Sequence, residues 1–275
     1  MLLGYQNIFL NLLMSDVEQL IQLLKEKKHL VVMLAPSFPI MYDYPDIVKR
    51  LKQMGFHEVL EVSVGAETTN AQMLMELNKD KKKRFITSPC ASAVRLIRKK
   101  YPQLEKYLAY NVDSPMVATA KIAHHKWPDA KVVFIGPCIV KKLEVSEDHP
   151  DLDILVLTYK ELNEVMNAIH PDTTKLVENL FDLENSNTRL YPISGGLAQS
   201  SGVKEILSED EVQVISGWKN CAEALDNFEK NTSVRLLDIL FCDGGCINGP
   251  GIESTLTVEE RRNKVIAYKE QRKHS

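Results

Sequence analysis

Short β-rich apolar runs alternate with helical stretches along the chain, and that alternation limits its fold more than any other feature. "LVVMLAPS" at 30–37, "HEVLEVSV" at 57–64, "RFITSPC" at 84–90 and "KVVFIGPC" at 131–138 are predicted strands. So are "LDILVLTY" at 152–159, "VQVISG" at 212–217 and "VRLLDILFC" at 234–242. Helical patterns separate them. "VEQLIQLLKEKK" opens after Ser15 with Glu18 three residues on, "YPDIVKRLKQMG" closes on Gly55, and "AQMLMELNKD" follows the second strand. Strands spaced by helices pair in parallel through right-handed crossovers. The expected class is α/β: two packed lobes, each with a small, mainly parallel sheet flanked by helices, and a cofactor cleft between them. No low-complexity linker interrupts the chain. Lobe one is expected over about 28–140 and lobe two over about 141–251, with helices at both termini. "LEVSEDHPDL" at 143–152 is predicted as a surface loop, and the tail after Leu256 as a charged helix.

At 275 residues with 44% apolar content, the chain is long enough to bury a full core. A net charge of -3 gives no reason to expect nucleic acid as a partner. The basic runs "KEKK" at 25–28, "KDKKKR" at 79–84 and "RRNK" at 261–264 are expected as solvated helix surface. The opening "MLLGYQNIFLNLLM" lacks a basic n-region and is shorter than the roughly 20 apolar residues of a membrane span. It is expected to dock on the body or on a partner segment, and no membrane association is expected. The expected compartment is the cytoplasm, where reduced cysteines point to metal or catalysis before disulfides.

Four of the five cysteines fall at strand ends. Cys90 ends "FITSPC", Cys138 ends "VVFIGPC", and Cys242 ends "DILFC" with Cys246 one turn further on. Open parallel sheets gather ligands beyond the C-terminal ends of their strands, whereas a structural cysteine more often sits in mid-strand facing the core. Four thiolates in one crevice suit zinc or an iron–sulfur cluster. Two solitary cysteines with one Cys-x3-Cys pair favour the larger cofactor, because structural zinc sites usually show two close pairs. Gly244 and Gly245 in "FCDGGCINGPG" are expected to let backbone amides approach such a cluster. Cys221 in "GWKNCAEAL" is expected in a helix core, and the scattered histidines form no ligand set.

"TSPC", "GPCIVKKLE" and "FCDGGCINGPG" resemble, in order, the three signature motifs of the catalytic domain of iron-only ([FeFe]) hydrogenases. "LAPSFP", "DSPMVATAK" and "ISGGLAQSSGV" add to the likeness, which spans about residues 30 to 251. The resemblance implies an H-cluster: a [4Fe–4S] cubane bound by Cys90, Cys138, Cys242 and Cys246. Cys246 bridges it to a two-iron subcluster carrying CO, cyanide and a dithiolate. It further implies that Lys141 donates a hydrogen bond to an iron-bound cyanide and that Glu144 pairs with the local lysines. Pro36 and Ser37 would lie by the dithiolate, and Gly195 and Gly196 would line the two-iron pocket.

The chain departs from that pattern at the proton path. Fast members carry a proton-passing cysteine directly before the first cluster ligand, and Pro89 stands there. Gln72 and Met73 occupy positions expected of carboxylates, although Glu76 remains nearby. Leu240 and Gly136 replace methionines, and Met116 a glutamine. No cysteine precedes Cys90, so no ferredoxin-like relay is expected in this polypeptide. It is then either a core taken from a longer protein or a minimal member fed by a separate electron-transfer or signalling partner, and cluster insertion implies maturation proteins. Three readings follow: a slow, sensory hydrogenase-like protein that handles H2 and protons; a conventional ferredoxin-linked hydrogenase with another proton route; and a non-enzymatic [4Fe–4S] scaffold.

Overall fold

The computed structural model describes residues 14–271, so residues 1–13 of the apolar opening stretch and His274 lie outside them. Among the described residues seven strands form: β1 Leu30–Leu34, β2 Glu58–Glu61, β3 Phe85–Ile86, β4 Lys131–Gly136, β5 Leu155–Thr158, β6 Val212–Ser216 and β7 Leu236–Leu240. The helices are α1 Asp16–Lys25, α2 Asp46–Met54, α3 Ser63–Lys79, α4 Ala91–Lys100, α5 Pro115–Lys126, α6 Tyr159–Ala168, the short α7 Gly196–Ser200, α8 Trp218–Asn227 and α9 Val258–Glu270. One sheet has the order β2-β1-β4-β5 and the other β3-β7-β6, and every pairing in both is parallel.

Local chemistry sets the boundaries. Ser15 caps α1 with a reciprocal bond from Glu18, Thr158 and Glu161 do the same for α6, and Thr257 and Glu260 for α9. Gly55 ends α2 with φ +118°, left-handed backbone that glycine tolerates. The strand after His57 stops at Glu61, and α3 already begins at Ser63. That early start lets Gly65 pack against α5, where its N–H donates to Thr119 Oγ1 at 3.2 Å. Residues 144–152 are not the expected loop: Glu144–Asp148 make one π-helical turn and Pro150–Leu152 a 3-10 turn.

The two expected lobes are present as two sheets, but they do not divide the chain near 140. β3 belongs with β6 and β7, and β5 belongs with β1, β2 and β4. The reason is pairing partners. Phe85 and Ile86 align with Leu236 and Leu237, while Leu155–Thr158 align with Val133–Gly136. The chain therefore crosses between the sheets repeatedly and ties them into one body.

β1 is buried along its whole length, as a central strand covered by helices on both faces must be. In the smaller sheet the faces alternate with period two. Ile86, Leu237 and Ile239 meet Ile97, Cys221 and Phe228, whereas Phe85 and Leu236 meet Met73, Leu77 and Leu197. Arg189, 2% exposed, shares its Nε–H between both oxygens of Glu61, which is fully buried, and also pairs with Glu184. Its guanidinium lies over the Tyr268 ring of α9, fastening that helix to the end of β2.

Asp238, in the middle of β7, is a buried carboxyl that accepts a hydrogen bond from the Ala198 N–H of α7 at 3.3 Å. Burial pushes its pKa up to about 6 from an ordinary 3.8. A folded-state pKa above the unfolded one gives stability that is complete below the lower value and is lost as pH rises through the upper. Between about pH 4 and pH 7 the protein is thus expected to lose on the order of 3 kcal/mol through this group. Asp238→Asn should flatten that slope in urea melts recorded across the interval.

Candidate metal centre

The three strand ends that carry cysteines converge. After β3 the chain runs through Ser88, whose Oγ donates to the Ala109 and Val112 carbonyls at 2.9 and 3.1 Å, and Cys90 then caps the start of α4. The Phe241 N–H, just past β7, donates to Cys90 Sγ at 3.4 Å. The arms after β3 and β7 thus touch through the Cys90 sulfur. Past β4, the Pro137 carbonyl accepts from the Gly251 N–H at 2.8 Å, docking the glycine-rich loop beside Cys138. Cys242 and Cys246 frame that loop; the Cys242 carbonyl accepts from Gly245 N–H at 3.0 Å and Gly217 N–H at 3.2 Å. All four thiols are partly buried. Cys221 is wholly buried in α8, as expected, with Sγ 3.4 Å from the Leu240 carbonyl.

The sulfurs share one electrostatic neighbourhood. Burial first, and then neighbouring cysteines, push the pKa values of Cys90, Cys242 and Cys246 up. Cys242 rises to about 12 under burial, Cys90 and Cys138. Cys246 is driven up by burial, Cys90, Cys138 and Cys242, and Cys90 by burial and Cys138, while Lys141 pulls both down. Among the described residues, no three His, Cys, Asp or Glu side chains approach closely enough to hold a single ion. A tetrahedral zinc with bonds near 2.3 Å would draw its sulfurs to roughly 3.8 Å of one another. Four thiols in one electrostatic neighbourhood, with an amide N–H on one sulfur, suit an iron–sulfur cluster.

Beside these thiols lies a cavity of about 90 Å³, walled by both sheets. Ala35, Pro36, Ser37, Pro137 and Cys138 come from the ends of β1 and β4; Leu240 and Cys246 come from the other side. Phe134, Met116, Tyr191 and the prolines 89, 115 and 192 complete a mainly apolar wall. Lys141 is the charged side chain on it. Of its three N–H groups, one goes to the Pro89 carbonyl at 3.0 Å and another to the buried carboxylate of Glu144, leaving one for a group in the cavity.

The structure therefore brings Cys138, Cys246, Lys141, Pro36 and Ser37 to one cavity wall, with Glu144 directly behind it. The glycines behave differently from expectation. Gly195 and Gly196 are not on the wall; Tyr191 and Pro192 are. Gly196 is needed for packing, because a Cβ there would overlap the Leu190 carbonyl. Gly244 and Gly245 do not leave their amides for a cluster. Their N–H groups go to Ser216 Oγ at 3.3 Å and the Cys242 carbonyl. Gly245, with φ +106°, lets the loop press on residues 192–194, where a Cβ would stand 2.5 Å from the Pro192 oxygen.

The residues expected near a proton path are dispersed. Glu76 is held by Lys79 and Asn111, which keep its carboxyl below the usual range, and it does not reach the wall. Gln72 pairs with Asp113, accepting from its backbone N–H at 2.8 Å, and Met73 is core. Gly136 lacks a side chain because the Phe134 ring fills that space. Sequence reasoning passed over Phe134, Tyr191 and Tyr159; Tyr159 stands just past a strand end and could have been noticed by the rule that singled out the cysteines.

Residues 28–250 match the family described as the iron only hydrogenase large subunit, C-terminal domain. The chain belongs to that family. The apo [FeFe]-hydrogenase HydA1 from Chlamydomonas reinhardtii superposes with a TM-score of 0.68 at 18% identity, over 92% of this chain and 88% of that one. Iron hydrogenase 1 of Clostridium pasteurianum is 22% identical over 82% of this chain and 50% of its own length. The cytosolic Fe-S cluster assembly factor NAR1 of Encephalitozoon cuniculi is 26% identical over 64% of this chain and 54% of its own. The chain thus spans about half the length of the curated relatives it matches. Membership of this hydrogenase family implies iron–sulfur chemistry. No helix among the described residues is long and apolar enough to cross a membrane.

A thiol held at about 12 is almost wholly protonated at pH 8. Cys242 in the metal-free folded protein should therefore alkylate roughly a thousandfold more slowly than the same residue in denaturant. Mass spectrometry of iodoacetamide-treated samples measures the ratio.

Proposed function

We propose that this protein binds a [4Fe–4S] cluster through Cys90, Cys138, Cys242 and Cys246, and receives in the adjoining cavity a two-iron group with CO, cyanide and dithiolate ligands. Its turnover is slow, suited to reporting hydrogen or redox state to an electron-transfer or signalling partner. When bound, the two-iron group supplies the interconversion of H2 with protons and electrons. Lys141 offers one ammonium N–H to an anionic ligand of that group. Glu144 and the Pro89 carbonyl hold the ammonium in place. The apolar wall excludes water, and the Phe241 amide on Cys90 Sγ favours the reduced, more negative cluster.

The observation that carries the slow reading is Pro89. It lies on the cavity wall, directly before a cluster cysteine, and has no exchangeable proton. A relay needs a titratable group within hydrogen-bond reach at every step. Glu144, the carboxylate bonded to the wall residue Lys141, is taken by that pairing. Loading depends on maturation proteins, and the compartment is the cytoplasm.

The likeness to the NAR1 assembly factor favours a second reading, a non-enzymatic [4Fe–4S] protein whose cavity stays without the two-iron group. Anaerobic reconstitution with iron and sulfide, followed by a synthetic two-iron complex, separates the two. CO and cyanide stretching bands in the infrared are expected on the hydrogenase reading. Four irons per chain with no such bands would establish the other. Cys246→Ser should lower the iron content in either case.

On the first reading, Pro89→Cys should raise hydrogen evolution by roughly a hundredfold, the scale of one restored proton-transfer group. An unchanged rate in a fully loaded variant would place the limit at another step.

A further inference from the structure

Ser37 is fully buried on the cavity wall, and its Oγ lies 2.8 Å from Tyr159 OH. The phenol oxygen is also 2.8 Å from the Ala35 carbonyl. A carbonyl can only accept, so the single phenol proton must lie on the Ala35 side; otherwise two buried oxygens would face each other without a proton between them. The Ser37 hydroxyl proton is then committed to Tyr159. What Ser37 turns toward the cavity is lone pairs.

Tyr159 is held to this task from several sides. It opens α6 behind the Thr158–Glu161 capping box. Tyr42 OH donates to the Tyr159 carbonyl at 3.0 Å, and the two rings meet edge to face at 5.9 Å. Tyr159 itself is fully buried. We propose that Tyr159 is a positioning residue that fixes the polarity of the cavity: Ser37 is an acceptor there, and Lys141 is the side chain that donates. The cavity thus selects an occupant with an anionic acceptor on the Lys141 side and an N–H or O–H donor on the Ser37 side. For the two-iron group this means that Ser37 gives no hydrogen bond to a cyanide. That last step rests on the hydrogenase reading above; the orientation of the hydroxyls does not.

Two measurements test it. The tyrosine Fermi doublet in the Raman spectrum distinguishes a phenol that only donates from one that donates and accepts. In protein without the two-iron group, Ser37→Ala should move the doublet contribution assigned by Tyr159→Phe toward the donor-only pattern. No change on Ser37→Ala overturns the proposal. In loaded protein, Ser37→Ala should leave the cyanide stretching bands in place, whereas Tyr159→Phe, which frees the serine proton, should shift them. The Tyr159→Phe/Ser37→Ala pair should restore the original bands. Equal shifts from Ser37→Ala and Tyr159→Phe would also overturn it. Absence of cyanide bands in the loaded wild type refutes the hydrogenase reading instead, and the Raman result still decides the hydroxyl orientation.

Discussion

Strand polarity is the constraint on which the rest depends. Every pairing in both sheets is parallel, so each sheet has one edge where all its strands finish. The molecule sets those two edges toward each other. β1 and β4 deliver Pro36, Ser37 and Cys138 from one side; β3 and β7 deliver Cys90, Cys242 and Cys246 from the other. An antiparallel pair would send every second loop to the far end, and the four sulfurs could not meet.

That convergence is electrostatically costly. Burial and the neighbouring sulfurs raise the pKa values of Cys90, Cys242 and Cys246, and Lys141 pulls Cys90 and Cys246 back down. The arrangement opposes thiolate formation in the metal-free protein, yet metal ligation requires thiolates. On the proposed reading, cluster binding would release protons and relieve the mutual repulsion at once, coupling loading to the stability of the loop framed by Cys242 and Cys246. The Pro137–Gly251 hydrogen bond and the packing of Gly245 against Pro192 hold that loop in the meantime.

How much of this was legible in the sequence follows from the range of the interactions involved. The seven apolar runs marked all seven strands of the described residues, and the cysteines at strand ends are the ones the fold gathers, because both signals are local. Sheet membership was not local. β3 has two residues, and only its alignment with Leu236 and Leu237 assigns it to the second sheet. The glycines misled for a related reason. Their number suggested amides open to a cofactor, but φ at Gly245 and the crowding at Gly196 answer to residues 190–194, far off in sequence from one of them and adjacent to the other. The partnership of Tyr159 with Ser37 spans 122 positions, beyond the reach of any spacing rule.

Pro89 draws the local and distant effects together. Proline fixes its own φ and removes a donor, but it keeps its carbonyl. Here that carbonyl is rigidly presented and takes one N–H of Lys141, while Glu144 takes a second. The same residue that deprives the cavity of a proton relay thus fixes the orientation of its one charged donor. Lys141 as donor and the Tyr159-bound Ser37 as proposed acceptor are polar side chains on a lining that is otherwise mainly apolar. On the reading proposed above, a site built this way would hold its occupant placed but poorly connected to bulk protons, the combination from which slow turnover is inferred.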